Sequence, residues 1–135
     1  MIDNVTMITP IYAGFFGILL VCLCWRVVSL RNRQENKMNE SGHTALTAAV
    51  RAQDNLQEYL PVALLLMFMV ENLHFSVWIV HALGALLVIA RVIHLKGINE
   101  PSGKSLRRRV GTRLTWVQII ISSALCFAGA LGFVY

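Results

Sequence analysis

Charged residues punctuate this chain at its connections and leave long apolar stretches between them. Residues 4–25, 72–90 and 114–135 contain no Asp, Glu, Lys or Arg over 22, 19 and 22 positions. Each is long enough to cross the roughly 30 Å hydrocarbon layer as a helix. Residues 59–70 are free of charge for only 12 positions, too few to span unless the helix starts earlier, in polar sequence. A start capped from Ser41 or Thr44 gives a helix about 40 Å long whose first half carries charges. The pattern therefore predicts four helices, over about residues 5–30, 44–71, 76–96 and 106–134. Together they make a single all-α domain over residues 1–135, an integral membrane four-helix bundle.

Composition agrees. The chain is 56% hydrophobic and 14% charged, against roughly 25% charged in an average soluble domain. So few charges cannot dress a water-facing surface, and the apolar residues must meet lipid. The net charge of +5 raises the possibility of nucleic acid, but no aromatic-basic array accompanies it and the basic residues sit at span ends. Arg26, Arg31, Arg33, Lys37 and Arg51 flank the first connection, and the other seven, Arg91 to Arg113, flank the third. The positive-inside rule places both of these connections in the cytoplasm and both termini on the non-cytoplasmic side. Trp25 and Trp116 then mark the inner interface, and Tyr12, Trp78 and Tyr135 the outer one. No cleavable signal is expected, since Met1–Asn4 lacks a basic region. Cys22, Cys24 and Cys126 lie inside apolar stretches, as small buried hydrophobes rather than a disulfide frame, and no metal spacing occurs. Ala124, Ala128 and Gly132 recur every fourth residue, a small-residue seam suited to close packing of the last helix.

The second helix carries the chemistry. Arg51, Asp54, Asn55 and Glu58 fall at i, i+3, i+4 and i+7, on one arc of about 100°. Glu58 lies thirteen residues before Glu71, which puts it on the order of 10 Å inside the membrane boundary. A carboxylate there cannot face hydrocarbon, so the arc must turn toward other helices or a water-filled crevice. The alternative is an ion-pair ladder, with Arg51 pairing Asp54 or Asn55, and Glu58 across helices. Pro61 removes one ladder amide just beyond the arc and favours an opening there. Arg91 and His94 at i, i+3, and Arg109 and Arg113 at i, i+4, bring cations to the same depth. Such a site suits an anion that carries one cationic group, for example a small peptide.

The run Arg51-Ala52-Gln53-Asp54-Asn55-Leu56-Gln57-Glu58-Tyr59-Leu60-Pro61 resembles the signature that opens helix 2 in the MAPEG proteins, the membrane-associated proteins of eicosanoid and glutathione metabolism. Arg91-Val92-Ile93-His94 is similar to the family's helix 3 pattern, and Arg108-Arg109-Val110-Gly111 with Leu114-Thr115-Trp116 to helix 4 of its small bacterial members. The resemblance implies a homotrimer in the bacterial inner membrane, with glutathione as co-substrate in cytoplasm-facing crevices between subunits. It further implies that Arg51, Gln53, Asn55, Glu58, Tyr59, Arg91 and His94 bind the tripeptide. Arg108 or Arg109 would stabilise its thiolate, with a lipophilic substrate arriving from the bilayer. One turn beyond His94, where many members carry tyrosine, this chain has Ile98.

Three functions follow as expectations. The first is a glutathione-dependent transferase or peroxidase acting on a lipophilic electrophile. The second is a non-catalytic lipid-binding or scaffold protein of the same fold. The third is a small proton-coupled exporter built around Glu58.

Overall fold

The structure, a computed structural model, describes residues 7–35, 40–98 and 105–132. These form four helices, α1 (Thr9–Glu35), α2 (Glu40–Asn72), α3 (Val77–Ile98) and α4 (Leu106–Ala130). The chain is an all-helical membrane bundle. Three helices are long and apolar enough to cross a bilayer, Thr9–Arg33 of α1, Val77–Ile98 and Leu106–Ala130. The helix outside that set is α2, whose first half carries the polar arc.

The ends differ from the sequence expectation in instructive ways. α1 continues to Glu35 rather than stopping near residue 30. Polar residues in water do not end a helix unless a breaker is present, and none stands between Ser29 and Arg33. α2 is already helical at Glu40, so a start among residues 41–44 is too late. α4 ends at Ala130, where the Leu131 amide reaches the Phe127 carbonyl and Gly132 adopts a φ of 75°, the left-handed stop that glycine accepts without cost. At its other end Ser105 caps α4, its hydroxyl accepting from the Arg108 amide at 3.4 Å.

Each helix turns one line of residues inward. In α2 the line is Ala49, Ala52, Leu56, Leu60, Ala63 and Met67, recurring every three or four positions. Phe16, Leu23 and Leu87 close over Leu56 and Leu60 in one cluster, while Ile8, Val80 and Leu83 surround Met67 and Val70 in another. The outward faces are as apolar as the inward ones, with Ile18, Trp25, Leu65, Trp78, Ile120 and Phe127 all exposed. In a membrane those faces meet acyl chains. Cys22 belongs to this outer surface rather than to the interior. Of the expected small-residue seam, Ala124 and Gly132 are exposed in the single chain and Ala128 is half-buried. Gly111 and Gly129 make the close approaches instead. A Cβ on Gly111 would stand 2.6 Å from the Ala90 carbonyl oxygen and from the His94 Cβ, so α4 crosses α3 there in backbone contact.

At the end of the bundle opposite the basic connections, Glu71 of α2 fastens α1. Its carboxylate accepts from the amides of Ile8 and Thr9, the latter at 3.0 Å. Pro10 has no amide, and the Ile11 amide turns back to the Ile8 carbonyl at 3.0 Å. The orphan donors of this helix start are thereby satisfied without water, and a negative charge sits at the positive end of the helix dipole. Glu71→Ala should lower stability by about 1–2 kcal/mol. Thermal unfolding in detergent reads the loss, and faster amide exchange confined to the first turn of α1 identifies its cause.

Candidate functional site

The polar arc of α2 and the first three turns of α4 face each other across an open crevice of about 540 Å³ at the basic end of the bundle. Helical spacing supplies the walls. Arg51, Asp54, Asn55 and Glu58 line one side at the i, i+3, i+4 and i+7 positions read from the sequence. Arg108, Thr112 and Trp116 line the other at i, i+4 and i+8, with Arg109 and Arg113 beside them. His94, only 3% exposed, forms the floor from α3.

Charge in the crevice is unbalanced. Four arginines face two carboxylates, and among the described residues no ion pair joins Asp54 or Glu58 to them. Arg51, Asp54, Glu58, Arg109 and Arg113 are exposed in the single chain. Within the single chain, the described residues of the arc form no ion-pair ladder. Glu58 lines this polar opening, as a carboxylate at that depth requires.

Behind the crevice lies the most buried charge in the described part of the protein. Arg91 is 2% exposed. Its Nη1 donates to Asn55 Oδ1 at 2.6 Å and its Nη2 to Thr115 Oγ1 at 3.0 Å. The Thr115 hydroxyl donates in turn to the Gly111 carbonyl at 3.0 Å. The guanidinium carbon stands 5.9 Å from the centre of the Tyr59 ring, within cation–π range. Tyr59 tilts against Trp116, ring centres 6.4 Å apart. One side chain of α3 thus fixes a residue of α2 and a residue of α4 that stand beside or directly behind the crevice walls.

The expected site residues divide accordingly. Arg51, Asn55, Glu58, His94, Arg108 and Arg109 come together around the opening. Tyr59 and Arg91 lie behind it, engaged with each other and with neighbouring helices. Gln53 is half-buried two positions from Arg51, on a different face of α2, and does not border the crevice of this chain. Thr112 was not anticipated at all. The signal available was its place one turn beyond Arg108, whose carbonyl its hydroxyl contacts at 3.1 Å. Trp116, expected only as an interface marker, is a wall residue for the same helical reason.

Comparison with known proteins gives the family. The family model described as "MAPEG family" matches residues 9–128. The chain belongs to the MAPEG family. It is 30% identical over 115 residues to the inner membrane protein YecN of Escherichia coli strain K12, a match covering 85% of this chain and 86% of that one. YecN of a second Escherichia coli strain shows the same identity and coverage. This MAPEG chain is accordingly a multi-pass protein of the bacterial inner membrane, of the small bacterial type.

Arg91→Ala would strand Asn55 and Thr115 beside a cavity. We expect a loss of about 3 kcal/mol, read as a lower unfolding midpoint in detergent. Arg91→Lys should fall between the two, because one ammonium on a flexible stem cannot hold both acceptors as the planar fork does.

Proposed function

We propose that this MAPEG chain is a glutathione-dependent transferase or peroxidase acting on a lipophilic electrophile. The observation that carries the reading is the crevice itself, with an excess of arginines, two carboxylates among them, and no ion pair joining these groups among the described residues. Glutathione has two carboxylates, one ammonium and one thiol. Arg51 and the arginines of α4 suit its carboxylates, Glu58 or Asp54 its ammonium, and Asn55 its peptide groups. Arg108 and Arg109 lie in the first turn of α4, where the helix dipole adds to their charge, so together they favour a thiolate over a thiol. In conjugation that thiolate attacks an electrophilic carbon and expels its leaving group, or adds to an activated double bond whose carbanion is then protonated. With a hydroperoxide it attacks the terminal oxygen, the O–O bond breaks to release the alcohol, and a second glutathione converts the resulting sulfenic acid to glutathione disulfide and water.

Family membership supports two further parts of the proposal. The protein assembles as a homotrimer, in which a neighbouring subunit closes the open side of the crevice. The basic end faces the cytoplasm, in keeping with the absence of Lys and Arg from the opposite turn and from both ends of the sequence. Gln53, which does not border the crevice of its own chain, is then available to the next one.

Calorimetry of the purified protein in nanodiscs should show glutathione binding, and ultraviolet absorbance should show thiolate formed on binding. Arg51→Ala and Glu58→Gln should each weaken binding about tenfold or more, since a charge-assisted hydrogen bond contributes about 1.5–3 kcal/mol. Arg108→Ala and Arg109→Ala should reduce the thiolate signal more than the affinity. No measurable affinity for glutathione would overturn the proposal. Binding that persists without conjugation or peroxidase turnover would favour the scaffold function.

A further inference from the structure

Two side chains on facing walls of the crevice have half of their hydrogen-bonding capacity committed within the protein. On α2, Asn55 Oδ1 accepts from Arg91 Nη1 at 2.6 Å. A guanidinium can only donate, so the amide oxygen is the atom turned toward it, and the two N–H donors of Nδ2 are left over. On α4, the Thr112 hydroxyl donates its one proton to the Arg108 carbonyl at 3.1 Å. What remains to it is an acceptor. Both residues border the crevice, and among the described residues no partner takes up either remainder.

The two stand at one level. α2 and α4 run parallel, as three contacts along their length show. Tyr59 tilts against Trp116, Cys126 Sγ lies 3.7 Å from the Leu66 carbonyl oxygen, and Gly129 closely approaches Leu73. Each step along one helix is thus matched by a step in the same direction along the other. One turn before the first of these pairs come Asn55 and Thr112, and one turn before those come Arg51 and Arg108. The crevice is therefore layered. Arginines stand on both walls nearest the basic end, then an amide opposite a hydroxyl, then the Trp116 ring with Tyr59 behind it.

A donor on one wall and an acceptor on the other select the group that fits between them. A carboxylate would find no free donor at Thr112, and an ammonium no free acceptor at Asn55. A trans peptide group matches both, because its C=O and N–H point in opposite directions. We propose that Asn55 and Thr112 clamp one trans peptide group of the ligand, Asn55 Nδ2 donating to its carbonyl and Thr112 Oγ1 accepting from its N–H. The clamp rests on the glutathione reading and adds Thr112 to it as a specificity-determining residue. With arginines one turn away for a carboxylate, it favours a peptide over a simple dicarboxylate of the same charge.

Calorimetry in nanodiscs can test the clamp with glutathione and with two analogues, in each of which one of the two amides is replaced by an ester. An ester keeps the carbonyl and removes the N–H. Thr112→Val keeps the shape of the side chain and removes the acceptor, and it should weaken glutathione binding about fivefold to tenfold. Thr112→Ser, which keeps the hydroxyl, should stay within about twofold of the parent. For one of the two esters, Thr112→Val should cause no further loss relative to the parent, since the N–H that the hydroxyl would accept is already gone. An equal loss for glutathione and both esters would mean that Thr112 acts only through the Arg108 carbonyl. Unchanged glutathione binding in Thr112→Val would mean that its hydroxyl meets no N–H. Either result overturns the clamp and leaves the glutathione reading intact, whereas a parent protein with no affinity for glutathione overturns both.

Discussion

A guanidinium enclosed where the helices cross is the constraint from which the rest of the bundle follows. In water an arginine can turn in many directions at small cost, but inside a membrane protein its donors must find acceptors at fixed places. Arg91 finds Asn55 on α2 and Thr115 on α4, with the Tyr59 ring across the plane of charge. Both helices are thereby fixed in rotation. Once Asn55 is directed inward, Arg51, Asp54 and Glu58 must share its edge of α2, and once Thr115 is directed inward, Thr112 and Trp116 must flank it on α4. The crevice is the space between two helix faces whose orientation one buried charge determines. Gly111 makes this possible, because any side chain there would push α4 away from Ala90 and His94 and take Thr115 out of reach.

Apolar packing cannot supply that orientation here. Leucine against leucine is little different from leucine against an acyl chain, so the clusters around Leu56 and Met67 contribute close contact without a strong preference for one helix rotation over another. Register is set by the polar contacts placed along the bundle. At one end Glu71 closes the start of α1 and, about one turn further in, Tyr12 meets the His81 ring nitrogen and carbonyl at 3.2 Å each, while toward the other end Arg91 ties three helices. Each joins elements far apart in sequence, and each would be exposed to hydrocarbon if its partner moved.

The fold was largely legible because it depends on where charges are absent, a property of the sequence alone. The arc of Arg51, Asp54, Asn55 and Glu58 was legible for a similar reason, since helical period converts spacing into a shared face. Period says nothing about which neighbour that face meets. Arg51 and Arg91 have the same chemistry and similar local surroundings in sequence, yet one borders an opening and the other is sealed behind it. Only the crossing of α3 with α4 distinguishes them, and that crossing depends on a glycine. Gln118 shows the same limit. As a single amide in an apolar run it carries no periodic signal, although it is among the most enclosed polar side chains in the described protein.

α4 therefore serves two environments with one surface. Its first turns present arginines to an open crevice, and its later turns present a threonine, a glutamine and a serine to the interior. A helix required only to pack could have carried apolar residues of matching volume at Thr115, Gln118 and Ser122, such as valine, leucine and alanine, because lipid-like contacts are cheap. Polar residues there impose a cost unless they hold something in place. Thr115 holds the guanidinium that positions Asn55 at the mouth of the crevice, and Gln118 and Ser122 hold each other. The polarity at Thr115 and the shape of the outer site are thus parts of one arrangement, and a change at Thr115 reaches the crevice through Arg91.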